Sequence, residues 1–228
     1  MNILWQLLQT VPSTMLLWAA AQVLGLVLAI PVAAARMSRE RTLRWIALLW
    51  IEVTRGIPTL VLLFIVYFGL SINDFRPPAM TAAILALGLS SSGYLAESIR
   101  AGFEAVPRQQ TEAAMALSLP LATRLGRVLL PQALPIISEG VVSYAIHLFK
   151  ETALASLIGV IEVMAVANYL VERGVNGPTV FLFTGAIYLV GCLLLAWLAH
   201  LIGDSGSRKR GKTQRGATIA AVKKVEVA

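Results

Sequence analysis

Apolar residues fall in long blocks along this chain, and short polar stretches between them hold most of the charge. Uncharged runs cover Thr14–Ala35, Gly56–Asn73, Pro77–Ala96 and Gly174–Gly203. A fifth apolar segment, Ile136–Val160, is interrupted by Glu139, Lys150 and Glu151. A helix needs about 20 apolar residues to cross a hydrocarbon core of roughly 30 Å. The pattern therefore predicts an all-α membrane protein of about five transmembrane helices. Residues 1–205 form the membrane domain, and 206–228 form a basic tail expected to lack fixed structure. No Lys or Arg precedes the first block, which is longer than the apolar core of a signal peptide, so it reads as a retained first span.

Composition supports this reading. Of 228 residues 57% are hydrophobic and 14% charged, against about one quarter charged in soluble domains. Five spans leave no room for a separate globular domain. Cys192 is the single cysteine, and His147 and His200 are far apart in sequence, so neither an internal disulfide nor a metal site is expected. Basic residues collect on the cytoplasmic side of membrane proteins. Arg36, Arg39, Arg41 and Arg44 crowd the first loop, Arg100, Arg108, Arg124 and Arg127 lie in or beside the third, and seven Lys or Arg follow Gly203. Arg76 and Arg173 alone serve the other loops. The expected orientation is N-terminus outside and C-terminus cytoplasmic. The tail, which supplies much of the net charge of +7, reads as a solvated segment that enforces topology, and where it has a partner anionic lipid suits it better than nucleic acid.

Gly206–Thr213 spells G-x-x-x-x-G-K-T. A phosphate-cradling loop needs a buried strand before it and a helix after it within an α/β domain. Here a membrane span precedes it and 15 residues follow. The match is accidental, so any ATP hydrolysis must come from another chain.

The polar interruption 104–135 is different. It is rich in helix formers and carries prolines at 107, 120, 131 and 135. Proline tolerates a first helical turn and breaks a helix interior, so the spacing predicts two short helices with a bend near Ser118–Pro120. Its order, Glu112-Ala113-Ala114, Ser118, then Val128-x-Leu130-Pro131, resembles the "EAA" loop of ATP-binding-cassette (ABC) importer permeases. Other segments resemble the polar amino-acid branch of that family: Glu52-Val-Thr-Arg55-Gly56-Ile57-Pro58-Thr59, Tyr94-Leu-Ala-Glu97-Ser-Ile-Arg100-Ala-Gly102, Val106-Pro107-x-x-Gln110 and Lys150-Glu151-Thr152-Ala-Leu154-Ala-Ser156-Leu-Ile-Gly159-Val160. Four motifs stand in the family's order. The chain departs from the pattern at Ser118 (glycine in the family), Val128, Glu151 (commonly aspartate), Ala153 and Thr59.

The resemblance implies the type I importer permease fold with a cytoplasmic coupling helix. Glu112, Ala113, Ala114, Ser118, Arg124 and Pro131 would then engage a separate ATPase, which holds the ATP and magnesium. A second permease chain, a homodimer or homologous heterodimer partner, would complete the path. An extracytoplasmic solute-binding protein would deliver a polar amino acid across a prokaryotic inner membrane by alternating access. The permease has no catalytic residues and no cofactor of its own. Rival readings are another cargo (methionine, betaine, an opine-like compound), an ion-coupled secondary transporter, or a membrane scaffold.

Charged residues within spans are costly, so they pair or face water. At 100° per residue Glu139, Ser143, His147, Lys150 and Glu151 fall within about 120° of arc. Ser90, Tyr94 and Glu97 share a face of the preceding span. Tyr94, Glu97, His147, Lys150 and Glu151 are the candidate path residues. In the structural alternative Lys150 pairs with Glu97 or Glu139, and Arg100 with Glu97. Glu151 is the foremost candidate, because an anion holds the ammonium of an amino acid. Arg55 either anchors its span at the headgroups or braces the coupling loop, Gly56 allows close packing, and Pro58 kinks or starts the second span. Glu112 caps the coupling helix or pairs with Arg108.

Overall fold

A computed structural model describes the backbone of residues 2–69 and 77–225 and the side chains through residue 201. Helix α1 (Ile3–Leu8) turns at Gln9–Thr10 into α2 (Val11–Arg36), which keeps Pro12 in its first turn and Pro31 in its interior. An interior proline is tolerated in membrane helices, where neighbours satisfy the freed backbone groups.

The next span is not the single run expected from Gly56. Helix α3 (Arg41–Gly56) and α4 (Thr59–Gly69) meet at Ile57–Pro58 with a bend of 100°. The polar linker shrinks to residues 37–40, and Arg41 and Arg44 lie on α3. The reason is periodicity: Arg41, Arg44, Glu52 and Arg55 recur at helical spacing along one stripe, while Ala47, Ile51 and Thr54 are buried on another. Counting α3–α4 as one broken span, the described residues hold five segments long and apolar enough to cross a membrane.

Helix α5 (Ala79–Glu104) is the central element and packs against α2, α3, α4 and α8. Apart from Leu87 and Leu95, its buried positions are small: Ala82, Ala83, Ala86, Gly88, Ser90, Ser91, Ser92, Gly93, Ala96 and Gly102. Small side chains let helices approach where no hydrophobic driving force acts between them. A Cβ on Gly88 would meet Leu24 Cδ2 at 2.7 Å, and one on Gly25 would strike Ser91. Serine hydroxyls at 91 and 92 bond back to Gly88 and Leu89 carbonyls, and Trp50 Nε1 donates to Ser92 Oγ at 3.0 Å.

The loop between α5 and the next span contains α6 (Arg108–Ala116), a bend, and α7 (Leu121–Thr123). Its second helix is not short. After α7 a π turn (Arg124–Leu129) runs directly into α8 (Leu130–Glu151). Pro131 sits in the first turn of α8 and Pro135 inside it, so neither ends a helix. A proline ring crowds the carbonyl four residues earlier, here Arg127, and the wider π turn relieves that crowding. A 3₁₀ stretch, Thr152–Ile158, then ends at Gly159 with φ 89°.

At the opposite end α9 (Val163–Glu172) is capped by fully buried Glu162. Its Oε1 accepts from Ala165 N at 2.8 Å and its Oε2 from the Tyr188 hydroxyl at 2.7 Å. Burial pushes this carboxyl above its ordinary range, against the pull of those hydrogen bonds. The last helix, α10, runs Gly177–Val225. It carries backbone helix through most of the segment expected to lack fixed structure. Ala, Lys, Arg and Gln there are good helix formers, and the span before them supplies the nucleus.

Candidate functional site

The break at Ile57–Pro58 opens beside the middle of α5 and the end of α8, and polar side chains from all these elements converge there. Thr59, first residue of α4, donates its hydroxyl to Glu151 Oε1 at 2.9 Å. Its single proton is thereby used, so Ser90 on α5 donates to Thr59 across 3.2 Å. His147 Nε2, one turn before Glu151, lies 3.3 Å from the same Oε1. Glu151 is only 16% exposed, and its Oε2 is buried without a hydrogen-bond partner. The Tyr144 hydroxyl is likewise buried, beside Ser90 and Glu151 but without a hydrogen bond of full geometry to either.

Aromatic rings continue the cluster. Tyr94 stacks on Tyr144 with centroids 4.8 Å apart and planes at 21°, and His147 lies 5.7 Å beyond Tyr144. The Arg55 guanidinium stands 5.0 Å over the Tyr94 ring, close enough for a cation–π attraction. A guanidinium therefore stands at one end of the row and a carboxylate at the other.

The structure thus brings together Tyr94, His147, Glu151 and Arg55 from the sequence-derived candidates, with Pro58 making the break. It adds Thr59, Ser90 and Tyr144. Tyr144 was legible in principle, because it lies three residues before His147 and seven before Glu151 on one helical face. Of the two expected roles for Arg55, bracing the coupling loop has no contact behind it among the described residues; the broken helix turns its guanidinium over the Tyr94 ring. Gly56 allows no close packing, since a Cβ there would meet nothing within 4 Å. Gly93 does so instead, facing Thr54, Arg55 and Ile51.

Lys150 and Glu97 stand apart from the cluster. Lys150 is exposed and forms no ion pair with Glu97 or Glu139. It belongs to the outer part of the arc, with exposed Glu139 and Ser143, because α5 covers only the part holding Tyr144 and Glu151. Glu97 is bound by Arg100, whose Nε lies 3.0 Å from both carboxylate oxygens, and Arg100 also pairs with Glu104.

At the coupling end Glu112 and Ala113 are exposed, Ala114 is buried and Arg124 half-buried. Glu112 forms no ion pair with Arg108 among the described residues. Ser118 has φ 53°, the left-handed conformation. Its N–H bonds to Met115 O at 2.8 Å and that of Leu119 to Ala114 O at 3.1 Å, the paired bonds of a Schellman cap. The bend therefore does use a left-handed residue, and Pro120 only starts the next helix. Around it Met115, Leu117, Leu121 and Leu125 stand exposed, Leu117 at 72%. Pro131 lies exposed just beyond the π turn.

Comparisons with known proteins agree with this architecture. Residues 23–205 match the model of the family described as binding-protein-dependent transport system inner membrane component. The chain is 34% identical over 197 residues to the arginine transport system permease protein ArtQ of Bacillus subtilis (strain 168), covering 86% of this chain and 90% of that protein. It is 33% identical over 230 residues to the octopine transport system permease protein OccM of Rhizobium meliloti, covering 95% and 94%. A crystal structure of an amino acid ABC transporter with histidines superposes with a TM-score of 0.82 at 32% identity, covering 88% and 94%. The match spans most of the chain, at identities that show common descent, and the chain belongs to the binding-protein-dependent transport family as the membrane-spanning permease subunit of an ABC transporter.

Proposed function

We propose that this permease passes a polar amino acid through the junction of Arg55, Thr59, Ser90, Tyr94, Tyr144, His147 and Glu151. The observation that carries the reading is the half-satisfied carboxylate. Glu151 Oε1 is occupied by Thr59 and His147, while Oε2 is buried without a hydrogen bond of full geometry and the Tyr144 hydroxyl stands buried beside Ser90 and Glu151. Buried polar atoms without partners are costly, and an ammonium donates the hydrogen bonds they lack. Arg55, across the stacked rings, suits the carboxylate of the same solute. The names of relatives that transport arginine, cystine and octopine support this class. An opine keeps an amine and carboxylates, so the same junction suits it, and the octopine relative's 95% coverage favours it as the second reading.

Transport follows alternating access. The exposed Met115, Leu117, Leu121 and Leu125, framed by Glu112 and Arg124, dock a separate ATPase subunit that binds ATP and magnesium. Its closure pulls α6, and the continuous α7–α8 rod carries that pull to His147 and Glu151. A second permease copy or homologue closes the path, and an extracytoplasmic binding protein loads it. The coupling end faces the cytoplasm of a prokaryotic cell, as the arginine distribution favours.

The test is uptake by the complete complex in proteoliposomes, with a panel of radiolabelled basic, neutral and acidic amino acids, octopine and betaine. At least one amino acid or opine should enter in an ATP-dependent manner and betaine should not. Betaine uptake alone would overturn the assignment, because a quaternary ammonium donates no hydrogen bond to Glu151.

A further inference from the structure

Arg36 at the end of α2 and Arg41, Arg44, Trp45 and Leu48 on α3 line one surface cavity of about 490 Å³. It lies at the end of the bundle that carries the coupling loop, since α2 runs parallel to α5 (Leu24 beside Gly88, Gly25 beside Ser91 and Leu95). None of the three arginines forms an ion pair among the described residues, although the Glu97 carboxylate lies within electrostatic reach of Arg36, and Arg36 Nε is buried with no acceptor. Glu40, at the helix start, neither caps α3 with its side chain nor pairs with them. Arg41 and Arg44 are exposed and Arg36 half-buried, so solvent screens part of their mutual repulsion, and an anion between them relieves the rest.

Topology alone would not require this grouping. Arg39, in the same linker, supplies the same charge from an exposed position outside the cavity. The walls also differ in kind. Trp45 and Leu48 are apolar, and Leu43, Ile46 and Leu49 on the same helix are exposed, Leu49 at 66%. An exposed apolar face next to a basic cavity, with a tryptophan at their border, is the profile of a helix at the membrane–water interface.

We infer that this cavity binds the phosphate diester of an anionic phospholipid headgroup. Guanidinium groups hold phosphate oxygens through paired, charge-assisted hydrogen bonds. The unpaired N–H groups at the start of α3 add to the same field. Trp45 and Leu48 pack on the glycerol, and the acyl chains run along Leu43, Ile46 and Leu49. The lipid thereby fixes the first turn of α3, the helix that ends at Arg55.

The test is native mass spectrometry of the intact permease–ATPase complex, titrated with phosphatidylglycerol and with phosphatidylcholine of identical chains. Phosphatidylglycerol should bind preferentially. Arg44→Gln should weaken it roughly fivefold and Arg36→Gln/Arg44→Gln about 25-fold, at about 1 kcal/mol per basic residue near the surface, with Arg39→Gln unchanged. Equal binding of the two lipids by the unmodified complex overturns the inference without any variant. So does Arg39→Gln weakening the lipid as much as Arg44→Gln does. Complete displacement of the lipid by millimolar inorganic phosphate would identify a free-phosphate site instead, which also overturns it. Each outcome is independent of which solute the complex transports.

Discussion

Glu151 and Glu97 are carboxylates on two adjacent membrane helices, and the protein neutralises them in opposite ways. Glu97 is answered within its own helix by Arg100, which reaches on to Glu104. That ladder is mainly local: each charge has its direct partner within about one turn, and Arg55 and Arg36 add only a weaker attraction on Glu97 from other helices. Glu151 is answered from other elements, by Thr59 across the α3–α4 break, with His147 one turn below. One of its oxygens stays unpartnered in a buried place. A locally closed pair keeps its geometry whatever the helices do. A junction spanning three helices changes whenever they rock, and its open oxygen is where a moving solute would bind.

The largest expected effect separates the two directly. Glu151→Gln should reduce solute uptake by the complex thirtyfold or more, since a hydrogen bond to a charged group contributes about 2 kcal/mol or more. Glu97→Gln should change uptake less than threefold. Equal losses would remove the distinction. Thr59→Val keeps the side-chain shape and deletes the hydroxyl, so it should raise the solute concentration for half-maximal uptake about tenfold, with assembly unchanged by size-exclusion chromatography. Arg100→Gln should leave uptake intact and lower thermal stability by no more than about 1 kcal/mol, because both its pairs are partly exposed and screened. The smallest effect concerns the bend. Two other Schellman caps here end at Gly159 and Gly174, with φ 89° and 83°, whereas α6 ends at Ser118. A left-handed non-glycine residue costs about 1–2 kcal/mol, so Ser118→Gly should stabilise the complex by up to about 1 kcal/mol in thermal unfolding. A destabilised variant would mean that the serine side chain itself supports the cap.

The crossings and the bent loop were legible because long apolar blocks and proline spacing act locally. Glu151 and His147 were legible because a charge inside an apolar run needs a local physical reason. Other features depended on which neighbour covers which face. Lys150 shares an arc with Glu151 on the helical wheel, yet α5 covers only part of that arc, and Lys150 is left exposed. Helix α3 was hidden because Arg41 and Arg44 look like loop residues until their spacing is joined to Glu52 and Arg55. Thr59 showed itself only as a departure from a family pattern. Its role depends on a 100° bend that brings it to Glu151; Pro58 marks where the chain breaks but not the angle or the partner the break delivers.

The central claim is that Glu151, and not Glu97, contacts the solute. Equilibrium binding of the transported radiolabelled solute to the purified permease–ATPase complex, without the binding protein, tests it most directly. The account predicts that the unmodified complex and Glu97→Gln bind alike, while Glu151→Gln binds at least tenfold more weakly. Undiminished binding by an assembled Glu151→Gln complex would contradict it.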